Sequence, residues 1–169
     1  MTDSALRART IVDELYKCGI THIIYLPDNG TKDIMEIISS EERITIIPVC
    51  REGEAPAIAA GLITGGKQPV ILIQCTGFFE SGDTMQGVVL NMKLPFLFLI
   101  GYRGWKKNEP LTDMAAIYIE PILKAWGMKY YLLETVEDAE KISAAYREAQ
   151  DESKPVAILI TYILDVEWK

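Results

Sequence analysis

Residues 44–75 read ITIIPVCREGEAPAIAAGLITGGKQPVILIQC. Two apolar runs rich in Ile and Val on consecutive positions bracket a segment of small residues at helical spacing. An apolar run without alternation marks a strand buried on both faces, and a strand–helix–strand succession of this kind builds a parallel sheet covered by helices. The pattern continues in both directions. It predicts strands at 22–26, 44–50, 69–75, 95–101, 128–133 and 155–162, and helices at about 52–64, 82–93, 112–126 and 136–150. Ser4 is suited to cap a first helix, in which Leu6, Ile11, Val12 and Leu15 recur at helical spacing and which Gly19 closes. After the turn Pro27-Asp28-Asn29-Gly30, the residues Ile34, Met35, Ile37 and Ile38 give a second helix its apolar face. The predicted fold class is α/β: a three-layer αβα arrangement with a six-stranded, mainly parallel sheet, in a single domain over residues 1–169.

Composition narrows the function classes. A chain of 169 residues that is 49% apolar buries a sizeable core without disulfides. Its 24 acidic and 17 basic side chains leave a net charge of −7, and the longest basic run is the pair Lys106-Lys107. Nucleic acid and anionic membrane surfaces are therefore poor partners. The apolar runs Phe96–Ile100 and Val156–Ile160 fall far short of the roughly 18 residues of a membrane helix. The opening Met1-Thr2-Asp3-Ser4 has no basic head followed by an apolar block, so no signal peptide is expected. Cys18, Cys50 and Cys75 form no CxxC pair, which fits a reducing cytoplasm.

In open parallel sheets ligands bind beyond the carboxyl ends of the strands, so the loops at 27–31, 50–54, 75–82 and 101–110 form the expected active edge. Several familiar chemistries drop out there. Gly61–Lys67 (GLITGGK) nearly spells a phosphate loop, yet Gln68 stands where Ser or Thr would hold magnesium. The stretch also ends a helix and precedes a strand, the reverse of the required context. The one histidine, His22, opens a strand at the opposite edge, which disfavours His-based triads and His-ligated zinc. Cys50 and Cys75 lie at strand ends with no histidine nearby and read as small buried hydrophobes. Glu52 and Glu54 fall in the first turn of a helix, where the macrodipole favours negative charge. That accounts for the carboxylates but not for Ala55, Ala57, Ala59, Ala60 and Gly61, a helix with almost no side-chain bulk that calls for very close packing.

Arg51-Glu52-Gly53-Glu54-Ala55, followed by small residues to Gly61, resembles the pyrimidine-binding domain of thiamine-diphosphate enzymes. In that family an Arg or His precedes an invariant glutamate, and a glycine falls nine positions after it, here Glu52 and Gly61. Leu26-Pro27-Asp28, Gln74-Cys75-Thr76-Gly77, Leu94-Pro95 and Ile100-Gly101-Tyr102-Arg103-Gly104 are similar to landmarks of the sulfopyruvate and phosphonopyruvate decarboxylases. The alpha subunits of the former are free-standing pyrimidine domains of this length.

The resemblance implies a role for each matched position. Glu52 would exchange a proton with the pyrimidine nitrogen N1′ of thiamine diphosphate. Desolvation against alanines would disfavour its charged form and suit that exchange. The backbone around Pro27 and around Thr76-Gly77 would border the aminopyrimidine. Phe78 and Phe79 would pack on the ring or shape the substrate pocket, or else be hydrophobes covered by a partner. Asp28, Asn29 and Arg103 are candidate substrate contacts, with Lys32, Lys106 and Lys107 as further anion partners. Asp28 and Asn29 are equally suited to making the turn alone. No GDG motif occurs here. A beta subunit carrying GDG and a downstream Asn would then hold the diphosphate and its Mg2+, in a hetero-oligomer of α2β2 or larger size that acts on a small 2-oxo acid.

Two segments depart from those relatives. Cys75–Glu80 (CTGFFE) stands in place of Asn-Ser-Gly-Leu-Gly-Asn, and Leu111-Thr112 in place of Gln-His. The first change removes polar groups that a sulfonate or phosphonate needs. Three other readings stay open: a carboligase of the same family, a non-catalytic regulatory or binding subunit with the same fold, and a flavodoxin-like binder.

Overall fold

The computed structural model describes residues 3–111 and 113–161, with side chains from Arg7 onward. Six strands, β1 (His22–Tyr25), β2 (Thr45–Pro48), β3 (Pro69–Gln74), β4 (Leu97–Gly101), β5 (Lys129–Leu133) and β6 (Val156–Ile160), stand side by side in the order β2-β1-β3-β4-β6-β5. Every pairing is parallel, so the sheet expected to be mainly parallel is wholly so among the described residues. The connections carry helices α1 (Asp3–Lys17), α2 (Lys32–Glu41), α3 (Glu54–Thr64), α4 (Cys75–Glu80), α5 (Gly82–Thr84), α6 (Met114–Ala125) and α7 (Glu140–Glu152). A π-helical turn, Met85–Val89, continues α5.

Consecutive residues of the central strands serve opposite cores, which is why those strands carry no polar alternation. Val70 and Leu72 of β3 join Ile11, Val12 and Leu15 of α1, Ile34 and Ile38 of α2 and Ile142 of α7. Their neighbours Ile71 and Ile73 point the other way, to Ala55, Ala59 and Ala60 of α3, Phe78 of α4 and Ile119 and Leu123 of α6. Gly19, at φ 68°, closes α1 in the left-handed conformation its sequence position suggests.

The small residues of α3 divide by face. Ala55, Pro56, Ala59 and Ala60 are buried, so the helix lies close against the sheet. Ala57 and Gly61 face outward, and a Cβ added at Gly61 would meet nothing within 4 Å. The close packing expected of the alanine run is thus met by its inner half within this chain.

All six strands fall within two residues of their expected bounds over the described residues; residue 162, the last of the expected sixth strand, lies outside them. The helices match less evenly. The helix α1 already contains Asp3, so Ser4 sits inside it and does not cap it. The helix expected at 82–93 is replaced by α4, α5 and the π turn, and the expected loop at 75–82 is mostly helical. The near phosphate loop is the end of α3: Gly65 caps it, Gly66 at φ 75° turns the chain, and β3 follows. Cys75 is buried as expected, whereas Cys50 is exposed in the turn after β2.

Candidate active site

The carboxyl ends of β2, β1, β3 and β4 lie next to one another, and the turn Cys50–Gly53 leaves the first of them. Two backbone bonds shape that turn. The Gly53-capped start of α3 is closed by Glu54 N–H to Arg51 C=O at 3.1 Å and Ala55 N–H to Glu52 C=O at 3.0 Å. Glu54 is exposed, as expected, and its carboxylate reaches back to accept from Cys50 N–H at 3.2 Å, satisfying a donor before the helix begins. Glu52 stands in the turn itself, one residue ahead of the cap and not inside the first helical turn.

Across from this turn, α4 starts directly from β3. Cys75 donates its S–H to the Gly101 carbonyl at 3.2 Å, which ties the first residue of α4 to the end of β4. Burial pushes the Cys75 thiol up to about 12. Phe78 is wholly buried beneath the same helix, edge-on to Phe98 at 5.8 Å and tilted against Trp126 at 5.3 Å. With α4 fixed in this way, Gly77 presents bare backbone to Glu52. A Cβ at position 77 would lie 2.6 Å from Cδ of Glu52, a separation that real Cβ atoms do not adopt. The glutamate side chain is half-buried there, and among the described residues its carboxylate enters no hydrogen bond or ion pair.

One turn further along α4, Glu80 reaches the residues on either side of Glu52. It accepts from Arg51 Nε at 3.0 Å and also from Nη2 of that guanidinium, and from the backbone N–H of Gly53. These donors hold the Glu80 carboxyl below the usual carboxylate range, Arg51 contributing most. Thr84 of α5 donates to the Gly53 carbonyl at 2.7 Å. Neither Glu80 nor Thr84 stands out in the sequence as a site residue. Their partner lies about thirty residues away along the chain, and no local spacing signals such a contact.

The remaining expected site residues fall in separate settings. Thr76 is exposed on the first turn of α4 and Phe79 is half-buried, while the Phe78 ring belongs to the core and offers no face to a ligand. Pro27, Asp28 and Asn29 line a groove of about 540 Å3 between the end of β1 and α2, together with Tyr25, Lys32 and Met35. The Asp28 carboxylate is occupied by its own turn, accepting from Gly30 N–H at 2.6 Å, Thr31 N–H at 3.2 Å and the Thr31 hydroxyl at 3.1 Å. Asn29 is exposed. Arg103, also exposed, is paired through Nε with Asp113 at 2.9 Å, where Asp113 also caps α6 through Ala115 N–H. Lys106 and Lys107 pair with Glu109 and Glu134. His22 is the first residue of β1, at the far edge from Glu52.

Behind β4 a part-buried network of three polar side chains completes the edge. The Tyr102 hydroxyl donates to Glu120 at 2.8 Å, and Tyr130 donates to the other oxygen of the same carboxylate at 2.5 Å. Burial, then Glu120, pushes the Tyr102 hydroxyl far above its ordinary range.

No protein-family model matches the chain. It is 30% identical over 151 residues to the sulfopyruvate decarboxylase subunit alpha of Methanocaldococcus jannaschii, covering 88% of this chain and 89% of that one. It is 23% identical to the sulfopyruvate decarboxylase of Methanosarcina acetivorans, covering 89% of this chain and 39% of that longer one. The fold superposes on benzoylformate decarboxylase from Polynucleobacter necessarius with a TM-score of 0.73 and 22% identity, over 92% of this chain and 29% of that structure. The extent and level of the first match fix the assignment: the chain belongs to the family of the sulfopyruvate decarboxylase alpha subunits, within the thiamine-diphosphate-dependent decarboxylases.

Proposed function

We propose that this chain supplies the pyrimidine half of a thiamine-diphosphate site in a cytoplasmic 2-oxo acid decarboxylase, completed by a beta subunit that holds the diphosphate and Mg2+. The observation that carries the reading is the state of Glu52: a half-buried carboxylate at the carboxyl edge of a parallel sheet, laid on the bare backbone of Gly77 and bound to no other side chain among the described residues. A polar group taken from water without a partner is costly, so a ligand that covers this half-buried carboxylate has to hydrogen-bond to it. Its neighbours Glu54 and Glu80 are both already engaged.

The donor set fits the group. A carboxyl at position 52 holds a proton at a ring nitrogen, the backbone at the exposed Thr76 borders the ring, and Phe79 at the rim of the core offers an aromatic edge. When bound, the coenzyme supplies the electron sink that lets a 2-oxo acid lose carbon dioxide. Glu52 then gives and takes the proton at N1′, and the α3 and α4 helix starts keep that carboxyl in place. The small buried face of α3 keeps the turn close to the sheet. Sulfopyruvate, the substrate in the name of the relatives, is the first 2-oxo acid to assay, with Asn29 and Arg103 as candidate contacts to its acidic ends.

The direct test is Glu52→Gln in the chain reconstituted with its beta subunit. Turnover falls by at least about a hundredfold, the scale of a lost general acid–base group. Coenzyme titration followed by Trp fluorescence accompanies it, and unchanged turnover together with unchanged affinity would remove Glu52 from the mechanism.

A further inference from the structure

We propose that Glu80 is the positioning residue for Glu52: from α4 it grips the residues on both sides of that carboxylate and so fixes the turn that aims it across Gly77. The inference rests on the role given to Glu52 above.

The geometry is specific to the flanking positions. The guanidinium of Arg51 and the backbone N–H of Gly53 both converge on the single Glu80 carboxylate, one oxygen each. The Gly53 carbonyl is taken at the same time by Thr84. Gly53 has room for this only because it lacks a side chain: a Cβ there would lie 2.9 Å from Oε2 of Glu80. Position 52 is thus suspended between two residues that are tied to α4–α5, while its own carboxylate has no bond to another described residue. Gly77, the surface on which Glu52 lies, and Glu80 are one helical turn apart on the same short helix. One rigid element therefore sets both the floor under the carboxylate and the path of the backbone that delivers it. A reacting group misplaced by about 1 Å loses as much as a hundredfold in rate, so this kind of support is functional.

Arg51 is largely exposed, with a side chain 75% accessible, against 31% for Glu80. An exposed ion pair adds little to stability. The pair is thus better explained by where it holds the turn than by what it adds to folding.

The test compares Glu80→Ala, Glu80→Gln and Glu52→Gln in the full chain, free and assembled with its beta subunit. In the free chain, hydrogen exchange at the Gly53 amide accelerates by at least about tenfold in Glu80→Ala while amides of β3 keep their rates, because only the clamp has opened. In the assembled enzyme, Glu80→Ala lowers kcat by about tenfold with KM for the 2-oxo acid within about twofold, and Glu80→Gln, which still offers an oxygen to Gly53, recovers part of the loss. Unchanged Gly53 exchange, or full kcat in Glu80→Ala beside a dead Glu52→Gln, overturns the inference. Full activity in Glu52→Gln instead overturns the role of Glu52, and the exchange result then still decides whether the clamp exists. Should Glu80→Ala fail to fold, Arg51→Ala, which removes the exposed half of the clamp, decides alone: kcat lowered by more than about threefold with KM within about twofold supports the clamp, and full kcat overturns it.

Discussion

The side chain of Glu52 crosses the backbone of Gly77 so closely that a methyl group at position 77 would sit 2.6 Å from its Cδ. Two segments 25 residues apart are therefore matched to each other, a long acidic side chain against a position with no room for a Cβ while that side chain lies across it.

Gly77→Ala separates that match from ordinary helix stability. Gly77 lies inside α4, where alanine is favoured over glycine by about 1 kcal/mol. The colliding group is a side chain that can swing outward, so the fold has a cheap escape. The melting temperature is expected to hold or rise slightly while turnover of the assembled enzyme falls by about tenfold or more, because Glu52 is displaced. Thermal unfolding and steady-state kinetics on the same preparation check both halves.

Cys75 makes stability depend on pH on the alkaline side. Its folded thiol is pushed up to about 12 from the ordinary 9.0, first by burial. Well below pH 9 both states keep the proton and the contribution is complete. As pH rises from 9 towards 12 the unfolded chain ionises and the folded one does not, so stability falls. Between these limits the wild-type chain loses up to about 1.4 kcal/mol per pH unit through this group. Urea midpoints at pH 8 and pH 10.5 are expected to differ more in wild type than in Cys75→Ala. A thiol reagent at pH 8 labels the exposed Cys50 first and Cys75 only on unfolding.

What sequence could and could not reveal follows from how far each signal reaches along the chain. The strands were readable because both faces of β3, β4 and β6 are buried, which leaves an unbroken apolar run in each. Glu52 is singled out by the resemblance of Arg51–Gly61 to a pyrimidine-binding domain, a signal carried by adjacent residues, whereas spacing alone reads it as an ordinary first-turn carboxylate. The start of α4 was not: Cys-Thr-Gly-Phe-Phe-Glu places glycine, a β-branched residue and two aromatics where helix propensity is poor, with no side chain capping its N-terminus. Tertiary contacts override that composition, with Phe78 buried against Phe98 and Trp126 and Cys75 bound to Gly101. The Glu80 clamp and the Tyr102–Glu120–Tyr130 network are long-range as well, and pairs of that kind leave no periodicity to read.

Asp28 was readable as either a turn residue or a substrate contact, and the three bonds it accepts from Gly30 and Thr31 support the turn. Asp28→Ala removes those acceptors together and is expected to cost about 1–2 kcal/mol, the scale of a lost cap. Asp28→Asn keeps an oxygen for the two backbone donors and should retain most of the stability. Urea denaturation distinguishes them, and equal losses in both variants would show that the charge, and not the turn geometry, is what matters.

Phe78 and Phe79 were expected to share a task, yet the fold divides them. The Phe78 ring is fully enclosed, between Phe98 and Trp126, so Phe78→Ala opens a cavity and is expected to cost about 3–5 kcal/mol. Phe79 is only half-buried at the edge of the same cluster. Its truncation leaves a site that solvent and neighbouring side chains can fill, and a loss below about 2 kcal/mol is expected. If Phe79 borders the bound coenzyme, Phe79→Ala weakens coenzyme affinity in the assembled enzyme by about fivefold or more, the worth of a lost aromatic contact. Phe79→Leu, which restores apolar bulk without the ring, tests whether aromaticity is what counts. Affinity that stays at the wild-type level in both variants would assign Phe79 to the subunit contact instead.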